Sequence, residues 1–300
     1  MALGTVRRGG REKGRLFWSA LFLAPALIYL GVFQIFPTFY AFWISFQTYD
    51  LLSPPVFAGL KNYVDAFRDK EFLRSCWITA TYVIYTIVPV IILSFFLAQL
   101  LAGVKRGRSA WRLLIFLPSI LPLVSVALVW RLLMNYAGPV NSALELFNID
   151  PRPWLTSSAY APWALIIMSW WHATSYYTIM FLAGFLSLPR ECYEAAYLEG
   201  AKGWTLLRHV TLPLMRPTIV LVVVMATVNG LKAFVFQKVM TDGGPADSTE
   251  ILTLLIYRTA FSYLNMGRAS AYSMILFMAV LAISLAQIWL IGESNREDKR

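Results

Sequence analysis

The chain consists of long apolar runs separated by short polar connectors. A bilayer core about 30 Å thick requires about 20 residues of helix to cross it, and six segments reach that length with almost no charged residues. We predict transmembrane helices over residues 17–46, 77–103, 113–134, 163–188, 219–236 and 269–292. Prolines within several of these segments predict kinks, which bundled membrane helices tolerate because neighbouring helices satisfy the freed carbonyl groups.

The composition agrees with a membrane protein. Of the 300 residues, 58% are hydrophobic and 14% are charged, whereas soluble domains carry about 25% charged residues. A net charge of +10 is also found in nucleic-acid-binding proteins, but here the basic residues fall between the apolar runs. The pattern therefore predicts an all-α integral membrane fold with six transmembrane helices, a lipid bilayer as surroundings and no nucleic-acid partner.

The distribution of Lys and Arg predicts the orientation, because cytoplasmic loops retain an excess of these residues. With the N-terminus inside, the inner face holds 16 basic residues, the outer face 8 and the spans 2. The net charges are then +9 inside and −1 outside. Both termini are predicted to be cytoplasmic, and Cys76 and Cys192 fall on opposite faces, which argues against a disulfide between them.

The same topology divides the chain into a basic tail (1–16), a six-helix transmembrane domain (17–292) and a second cytoplasmic tail (293–300). The basic N-terminal residues followed by an apolar run imitate a signal peptide. The run exceeds the usual hydrophobic region of about 7–15 residues, so we interpret it as an uncleaved first helix. We expect a multi-pass protein of a bacterial or archaeal cytoplasmic membrane.

The inner connector 189–217, between the fourth and fifth spans, is longer than a turn between membrane helices requires. Helix-forming residues lead to Gly200, where a permissive backbone can bend, and a second helical stretch from Ala201 is predicted to end before Leu212-Pro213. On that stretch Trp204, Leu207 and Val210 lie on one apolar helix face. Two short helices joined at a glycine are therefore predicted on the cytoplasmic surface.

This connector resembles the EAA motif of permease subunits of bacterial binding-protein-dependent ABC importers. The matching residues are Glu194, Ala195, Ala196, Glu199, Gly200, Ala201, Leu212, Pro213 and Pro217, and Trp204 lies between them. The resemblance implies a type I ABC importer permease fold. It also implies that the connector is a coupling helix, which docks into a cleft of a cytoplasmic ATPase subunit.

Other segments narrow the resemblance to carbohydrate-uptake importers of the maltose and glycerol-phosphate type. They include Phe36-Pro37, Gly59-Leu60-Lys61-Asn62-Tyr63, Gly138-Pro139-Val140-Asn141, Pro153-Trp154-Leu155 and Thr241-Asp242-Gly243-Gly244-Pro245. The resemblance is to the larger of the two permease subunits. It implies as partners a second related permease, two ATPase subunits, an extracytoplasmic solute-binding protein and a carbohydrate substrate.

No residues are arranged for catalysis. The chain lacks a G-x-x-x-x-G-K-[ST] phosphate-binding string, contains no Cys/His cluster with metal-ligand spacing, and shows no Ser/His/Asp set. We expect it not to be an enzyme and to bind no cofactor of its own. In the importers that it resembles, ATP and Mg²⁺ would be bound by the partner ATPase subunits.

Polar groups inside spans are costly, so they are expected to face the bundle or a cavity. Aromatic faces and hydrogen-bonding side chains are the groups that bind sugars. We therefore predict a substrate pathway lined by Trp171, Tyr176, Asn229, Lys232, Phe234 and Gln237. Alternatively, the aromatic residues form lipid-facing or interfacial belts, and Lys232 snorkels outward or pairs with an acid of a partner subunit.

Two other functions stay open at this point. The coupling motif belongs to a wider superfamily, so the imported solute can be a phosphate, an amino acid or a peptide rather than a sugar. An autonomous secondary transporter or channel is a different class, and it predicts intramembrane acids or an inverted repeat. Neither feature is evident in the six predicted spans.

Overall fold

The computed structural model describes residues 9–292. These residues form a helical bundle with one short β-hairpin, whose two strands have two residues each. Its α-helices are α1 (Gly9–Leu30), α2 (Phe36–Ile44), α3 (Lys61–Arg68), α4 (Lys70–Gly103), α5 (Arg108–Ile120), α6 (Leu123–Leu133), α7 (Pro139–Glu145), α8 (Ala161–Leu186), α9 (Arg190–Leu198), α10 (Gly203–Leu206), α11 (Leu212–Leu231), α12 (Leu252–Phe261) and α13 (Met266–Gly292). The strands β1 (Gln47–Thr48) and β2 (Val56–Phe57) pair antiparallel. Of the predicted cytoplasmic tails 1–16 and 293–300, residues 1–8 and 293–300 lie outside the described residues, and residues 9–16 belong to α1.

Three π-helical turns interrupt or extend the helices. They comprise Gly31–Ile35, Leu207–Thr211 and Gln237–Thr241. The first joins α1 to α2 without a break, so that one continuous helix includes the predicted first span. The second joins α10 to α11 in the same way, and the third follows the end of α11 after a short non-helical stretch.

Four of the described helical segments are long and apolar enough to cross a membrane. They are Trp18–Ile44, Lys70–Gly103, Gly203–Leu231 and Met266–Leu290, and α5 together with α6 adds a fifth if this bent pair is one span. The predicted fourth span corresponds to α8, which has 26 residues but does not meet the same hydropathy criterion. Its polar and aromatic residues, including Ser169, His172 and Tyr176, lower its mean hydropathy.

The predicted third span (113–134) is not one kinked helix. The axes of α5 and α6 differ in direction by 93° across Leu121 and Pro122. Leu121 is extended, with ψ of 141°, because the ring of a following proline disfavours the α conformation for the residue before it. The segment is therefore two shorter helices with a sharp bend rather than a continuous crossing.

The predicted boundary at Leu212-Pro213 is also wrong. The helix continues through Pro213 and Pro217 to Leu231, and the predicted fifth span (219–236) instead crosses the end of α11. A proline inside a helix clashes with the carbonyl group four residues earlier. Here the wider π turn precedes Pro213, and the N–H of Leu212 donates to the oxygen of Leu207 five residues back.

The apolar core lies between α4, α8 and α11. In one cluster, the rings of Phe95 and Phe181 meet edge to face with centroids 5.5 Å apart, and Met215 and Val222 of α11 pack against this cluster. A second cluster joins α4, α6 and α8 near the other end of the bundle. The cavities described below lie between α4, α8 and α11 and the segments next to them.

The continuous helix formed by α1, the first π turn and α2 is largely exposed. No residue from Trp18 to Trp43 is buried within the described part of the chain. The helix α2 and the strand β1 contact α13. From α3, the Asn62 Nδ2 donates to the backbone oxygens of Ser45 and Gln47 at 2.9 and 2.8 Å. The apolar surface of the continuous helix is therefore left exposed by the described residues.

Candidate functional site

The connector between α8 and α11 contains a helix, a left-handed turn and a second helix. Gly200 has a φ of +83°, and the N–H of Ala201 donates to the oxygen of Ala196 at 2.9 Å. This arrangement satisfies terminal carbonyl groups of α9 and is typical of a glycine that ends a helix. The second helix is tied to α9 by a hydrogen bond from Tyr193 Oη to Thr211 Oγ1 at 3.1 Å.

The connector exposes large apolar side chains. Trp204 is 66% exposed and Leu198, next to the turn, is 91% exposed. The predicted coupling residues Glu194, Ala195, Glu199, Gly200 and Pro213 are also exposed, Ala201 and Leu212 are half-buried, and Ala196 is buried. Leu198 was not among the predicted residues; its position beside the glycine turn is the signal that could have identified it.

A groove of about 660 Å³ lies behind the connector. Its walls come from the end of α4, the start of α5, the end of α8 and the connector itself. Glu194, Tyr197 and Leu207 belong to this wall, together with Arg108 and Phe185. A displacement of the connector therefore changes its contacts with three helices, α4, α5 and α8, at once.

A central cavity of about 390 Å³ lies between α4, α8 and the end of α11. Its wall consists of Tyr82, Thr86, Ile87, Val90, Leu123, Ser169, His172, Ala173, Tyr176, Tyr177, Ala226, Asn229, Gly230, Lys232, Ala233, Phe234, Val235 and Phe236. The non-helical stretch after α11 brings Lys232 and Phe234 into this wall. None of the lining residues is acidic.

Four of the six predicted pathway residues line this cavity: Tyr176, Asn229, Lys232 and Phe234. Trp171 does not, since its ring packs against Trp130 with centroids 5.7 Å apart. Gln237 does not either; it is fully buried and lines a separate, smaller cavity. Trp171 and Gln237 therefore do not share a cavity with the other four predicted pathway residues.

The cavity wall keeps hydrogen-bonding groups available. Asn229 Nδ2 donates to Tyr177 Oη at 3.1 Å, and the hydroxyl groups of Tyr82 and Ser169 are 2.8 Å apart. Within the described part of the chain, the buried Thr86 Oγ1 approaches the Tyr82 hydroxyl without a hydrogen bond of ordinary geometry, and the buried His172 Nε2 has no hydrogen-bond partner. Since buried polar groups are normally paired, a polar occupant of the cavity is expected to pair with these two atoms.

Tyr82, Thr86 and Ser169 were missed by the sequence analysis, although their spacing contains the necessary signal. On α4 the lining residues recur at intervals of four, one and three positions, and on α8 positions 169, 172, 173, 176 and 177 follow the spacing of one helix face. Position 171 falls outside that series. Helical periodicity therefore excludes Trp171 from the face that carries Tyr176.

At the other end of the bundle, an ionic cluster holds the loop with the Gly243-Gly244-Pro245 turn. The Arg258 guanidinium contacts Glu250, the backbone oxygen of Asp242 and the carboxylate of Asp247. Lys238 Nζ donates to Asp242 Oδ1 at 2.9 Å. Burial raises the pKa of Glu250, and the neighbouring Arg258 lowers it to a smaller extent.

A second loop is organised by one buried amide. The Nδ2 of Asn141 donates to the backbone oxygens of Tyr136 and Arg152, each at 2.9 Å. Its Oδ1 accepts from the N–H of Arg152 at 3.0 Å and from Trp154 Nε1 at 2.9 Å. Both N–H groups and both lone pairs of this amide are thereby used. Asn141 of α7 thus connects the residues before α7 with residues 152–154 after it.

These features define a membrane-embedded transport component, with a central cavity and an exposed connector at one end. Residues 90–290 match the family described as binding-protein-dependent transport system inner membrane component. The chain belongs to this family, and it is therefore a multi-pass inner-membrane component of an ABC transporter rather than an autonomous channel.

Relatives of known name support the same assignment. The chain is 30% identical to the trehalose/maltose transport system permease protein MalF of Thermococcus litoralis, covering 92% of this chain and 94% of that protein. It is 31% identical to the sulfoquinovosyl glycerol transport system permease protein SmoG of Agrobacterium fabrum, covering 93% and 92%. These proteins are named as permeases of sugar transporters.

A solved structure shows the fold. A chain of a bacterial ABC transporter involved in the import of the acidic polysaccharide alginate superposes with a TM-score of 0.83 at 22% identity, covering 96% of this chain and 99% of that one. The fold is therefore that of a type I ABC permease, as the sequence resemblance implied.

Proposed function

We propose that this chain is the membrane-spanning permease subunit of an ATP-driven sugar importer and forms half of its translocation pathway. The observation that carries the proposal is the central cavity, in which aromatic rings adjoin hydrogen-bonding groups that have no protein partner. Sugars present both hydroxyl groups and apolar C–H faces, and a cavity of this kind offers a complement to each. The names of the relatives support a saccharide as the solute.

The exposed connector is the proposed site of coupling to ATP hydrolysis. Trp204 and Leu198 are large apolar side chains that face away from the bundle, and such exposed apolar groups mark surfaces for protein partners. The connector also forms one wall of the groove, whose other walls are α4, α5 and α8. A push from a closing ATPase subunit would therefore move these helices as packed units between two arrangements.

The remaining assignments follow from this role. ATP and Mg²⁺ are bound by two partner ATPase subunits, since this chain has no phosphate-binding string. A second related permease completes the pathway, and an extracytoplasmic binding protein delivers the sugar. We retain six crossings, with α5 and α6 as one broken span and α8 as another, and with both termini in the cytoplasm, as the basic residues indicate.

The substrate assignment is tested by uptake into proteoliposomes. The chain is co-purified with a second permease, the ATPase subunits and a solute-binding protein of the same importer. Uptake of labelled trehalose, maltose, maltotriose and trigalacturonate is then compared with uptake of phosphate, histidine and methionine. ATP-dependent uptake of a saccharide supports the proposal, whereas uptake of only non-sugar solutes refutes the sugar assignment and leaves the permease assignment intact.

The coupling assignment is tested at Gly200. An added Cβ would meet no atom within 4 Å, so an effect of Gly200→Ala arises from the backbone, where a left-handed conformation costs an L residue about 1–2 kcal/mol. Asn tolerates this conformation better than Ala. We expect Gly200→Ala to reduce sugar uptake more than the larger Gly200→Asn does, with membrane insertion unchanged.

The matched control is Gly31→Ala in the first helix, where the glycine has no positive φ and a Cβ also has free space. This variant should transport normally. Sugar-stimulated ATPase activity is measured in parallel. If Gly200→Ala and the charged variant Gly200→Asp both leave uptake and stimulated ATPase activity normal, the connector is not the coupling element.

A further inference from the structure

A second cavity of about 220 Å³ lies between α4, α8 and the loop that precedes α12. Its wall consists of Trp77, Ile78, Thr81, Tyr82, Tyr85, Pro162, Trp163, Leu165, Ile166, Gln237, Ser248, Thr249 and Ile251. These positions precede those of the central cavity along both α4 and α8. The second cavity is therefore stacked on the central one, toward the end of the bundle that carries the ionic cluster.

Two polar side chains in this wall lack partners. Gln237 is fully buried in its π turn; its amide approaches the Tyr82 hydroxyl, but neither Nε2 nor Oε1 forms a hydrogen bond of ordinary geometry within the described part of the chain. Ser248 Oγ, from the adjacent loop, is buried and unpaired as well. Buried amides and hydroxyls without partners are rare and call for an explanation, and an occupant of the cavity would supply the missing donors and acceptors.

The rest of the wall is aromatic. The rings of Tyr85 and Trp163 are inclined to each other, with centroids 5.4 Å apart, and Trp77 of the same wall is largely exposed. Aromatic faces next to amide and hydroxyl groups suit a ligand that has apolar C–H faces and many hydroxyls. One ordered water needs about 10–15 Å³, so a cavity of about 220 Å³ accommodates far more than a single bridging water.

Tyr82 belongs to the walls of both cavities. Its hydroxyl group pairs with Ser169 Oγ at 2.8 Å in the central cavity. A rotation of this one side chain would therefore connect the two spaces, and a ligand in the second cavity would be adjacent to the central one.

From this arrangement we propose that the second cavity is a distinct saccharide subsite. It holds one sugar ring outside the central cavity, and the Gln237 amide and the Ser248 hydroxyl form hydrogen bonds with that ring. This inference rests on the proposed function for its ligand class, but it assigns a site that the import activity itself does not require.

The subsite is tested by cysteine protection in the assembled transporter. Cys76 and Cys192 are replaced by Ala, and a reporter is placed in the cavity wall by Thr81→Cys. A second reporter, Thr156→Cys, lies in an exposed loop outside the wall. Maleimide labelling rates in nanodiscs are measured with glucose, trehalose, maltose, maltotriose and trigalacturonate, without nucleotide and after trapping with ATP and vanadate, and uptake of each sugar is measured in proteoliposomes.

We expect at least one sugar to slow labelling of Thr81→Cys threefold or more, with no effect on Thr156→Cys. Gln237→Leu should abolish this protection. Gln34→Leu, on the exposed first helix, should retain it and serves as the matched glutamine control.

The possible results separate the subsite from the import function. If an imported sugar gives no protection, the subsite is refuted and sugar import stands. If a sugar protects but none is imported, the subsite stands and the import proposal is refuted. If no sugar protects and none is imported, both are refuted. If protection survives Gln237→Leu, the assignment of the amide is refuted.

Discussion

The contact between α8 and α11 predicts a measurable cost for one added methyl group. At Gly184, an ideal Cβ would lie 2.6 Å from Thr218 Oγ1, 2.7 Å from its Cγ2 and 3.0 Å from its Cβ. Contacts below 3.0 Å are not tolerated, so Gly184→Ala forces the Thr218 side chain to rotate or the helices to separate. Overpacking of this kind costs about 1–3 kcal/mol, and we expect a value of about 2 kcal/mol.

Thr218 also provides the rescue. Thr218→Ala removes the two atoms that clash at 2.6 and 2.7 Å but leaves the Cβ contact at 3.0 Å, so relief should be partial. We expect the double variant to recover about half of the stability lost by Gly184→Ala, which corresponds to a favourable coupling of about 1 kcal/mol between neighbouring sites.

The assay is reversible denaturation of the purified chain in mixed micelles, with free energies of unfolding compared in a double-mutant cycle. Gly103→Ala is the control because its added Cβ meets no atom within 4 Å, and it should change the free energy by less than about 0.5 kcal/mol. Additive effects of Gly184→Ala and Thr218→Ala would show that the two helices do not meet at these residues.

Three further outcomes are expected. Asn141→Ala should lower the unfolding free energy by about 3 kcal/mol, because the four hydrogen bonds of a buried amide are lost and the groups that paired with it stay unpaired. An effect below about 1 kcal/mol in the same micelle assay would contradict this. Gly267→Ala should prevent the hairpin from packing on α13, since its Cβ would lie 2.0 Å from the Gln47 backbone oxygen; faster proteolysis of the 47–57 hairpin is the readout, and unchanged cleavage would count against it. Because the pKa of Glu250 is raised, the folded chain binds the proton of this carboxyl group more tightly than the unfolded chain. The stability of the wild type should therefore rise relative to that of Glu250→Gln as the pH falls through the folded pKa toward 4.5. A parallel pH dependence of the two proteins would refute this sign.

The helical class and most of the apolar segments could be predicted from the sequence, because hydropathy over about 20 residues reports directly on burial in lipid. The same averaging cannot detect a break. Leu121 and Pro122 lie inside an apolar run, yet they redirect the chain by 93°. The helix α8 was predicted as a span over residues 163–188, although polar residues that face a cavity reduce its mean hydropathy.

The candidate pathway was predicted only in part, for a geometric reason. Tyr176 and Asn229 lie on helix faces that meet in the central cavity, and their residue types alone suggested the role. Gln237 belongs to a different cavity because α11 ends at Leu231 and a π turn redirects the chain. A change of backbone direction within six residues has no signature in hydropathy or residue type.

The isolated position of the first helix has a consequence for biogenesis. Because no residue from Trp18 to Trp43 is buried against the rest of the chain, this helix gains little from the bundle and must enter the bilayer on its own hydropathy while the chain is still being synthesised. Substitutions on this helix should therefore impair insertion or subunit assembly, and they should leave the thermal stability of the remaining bundle nearly unchanged.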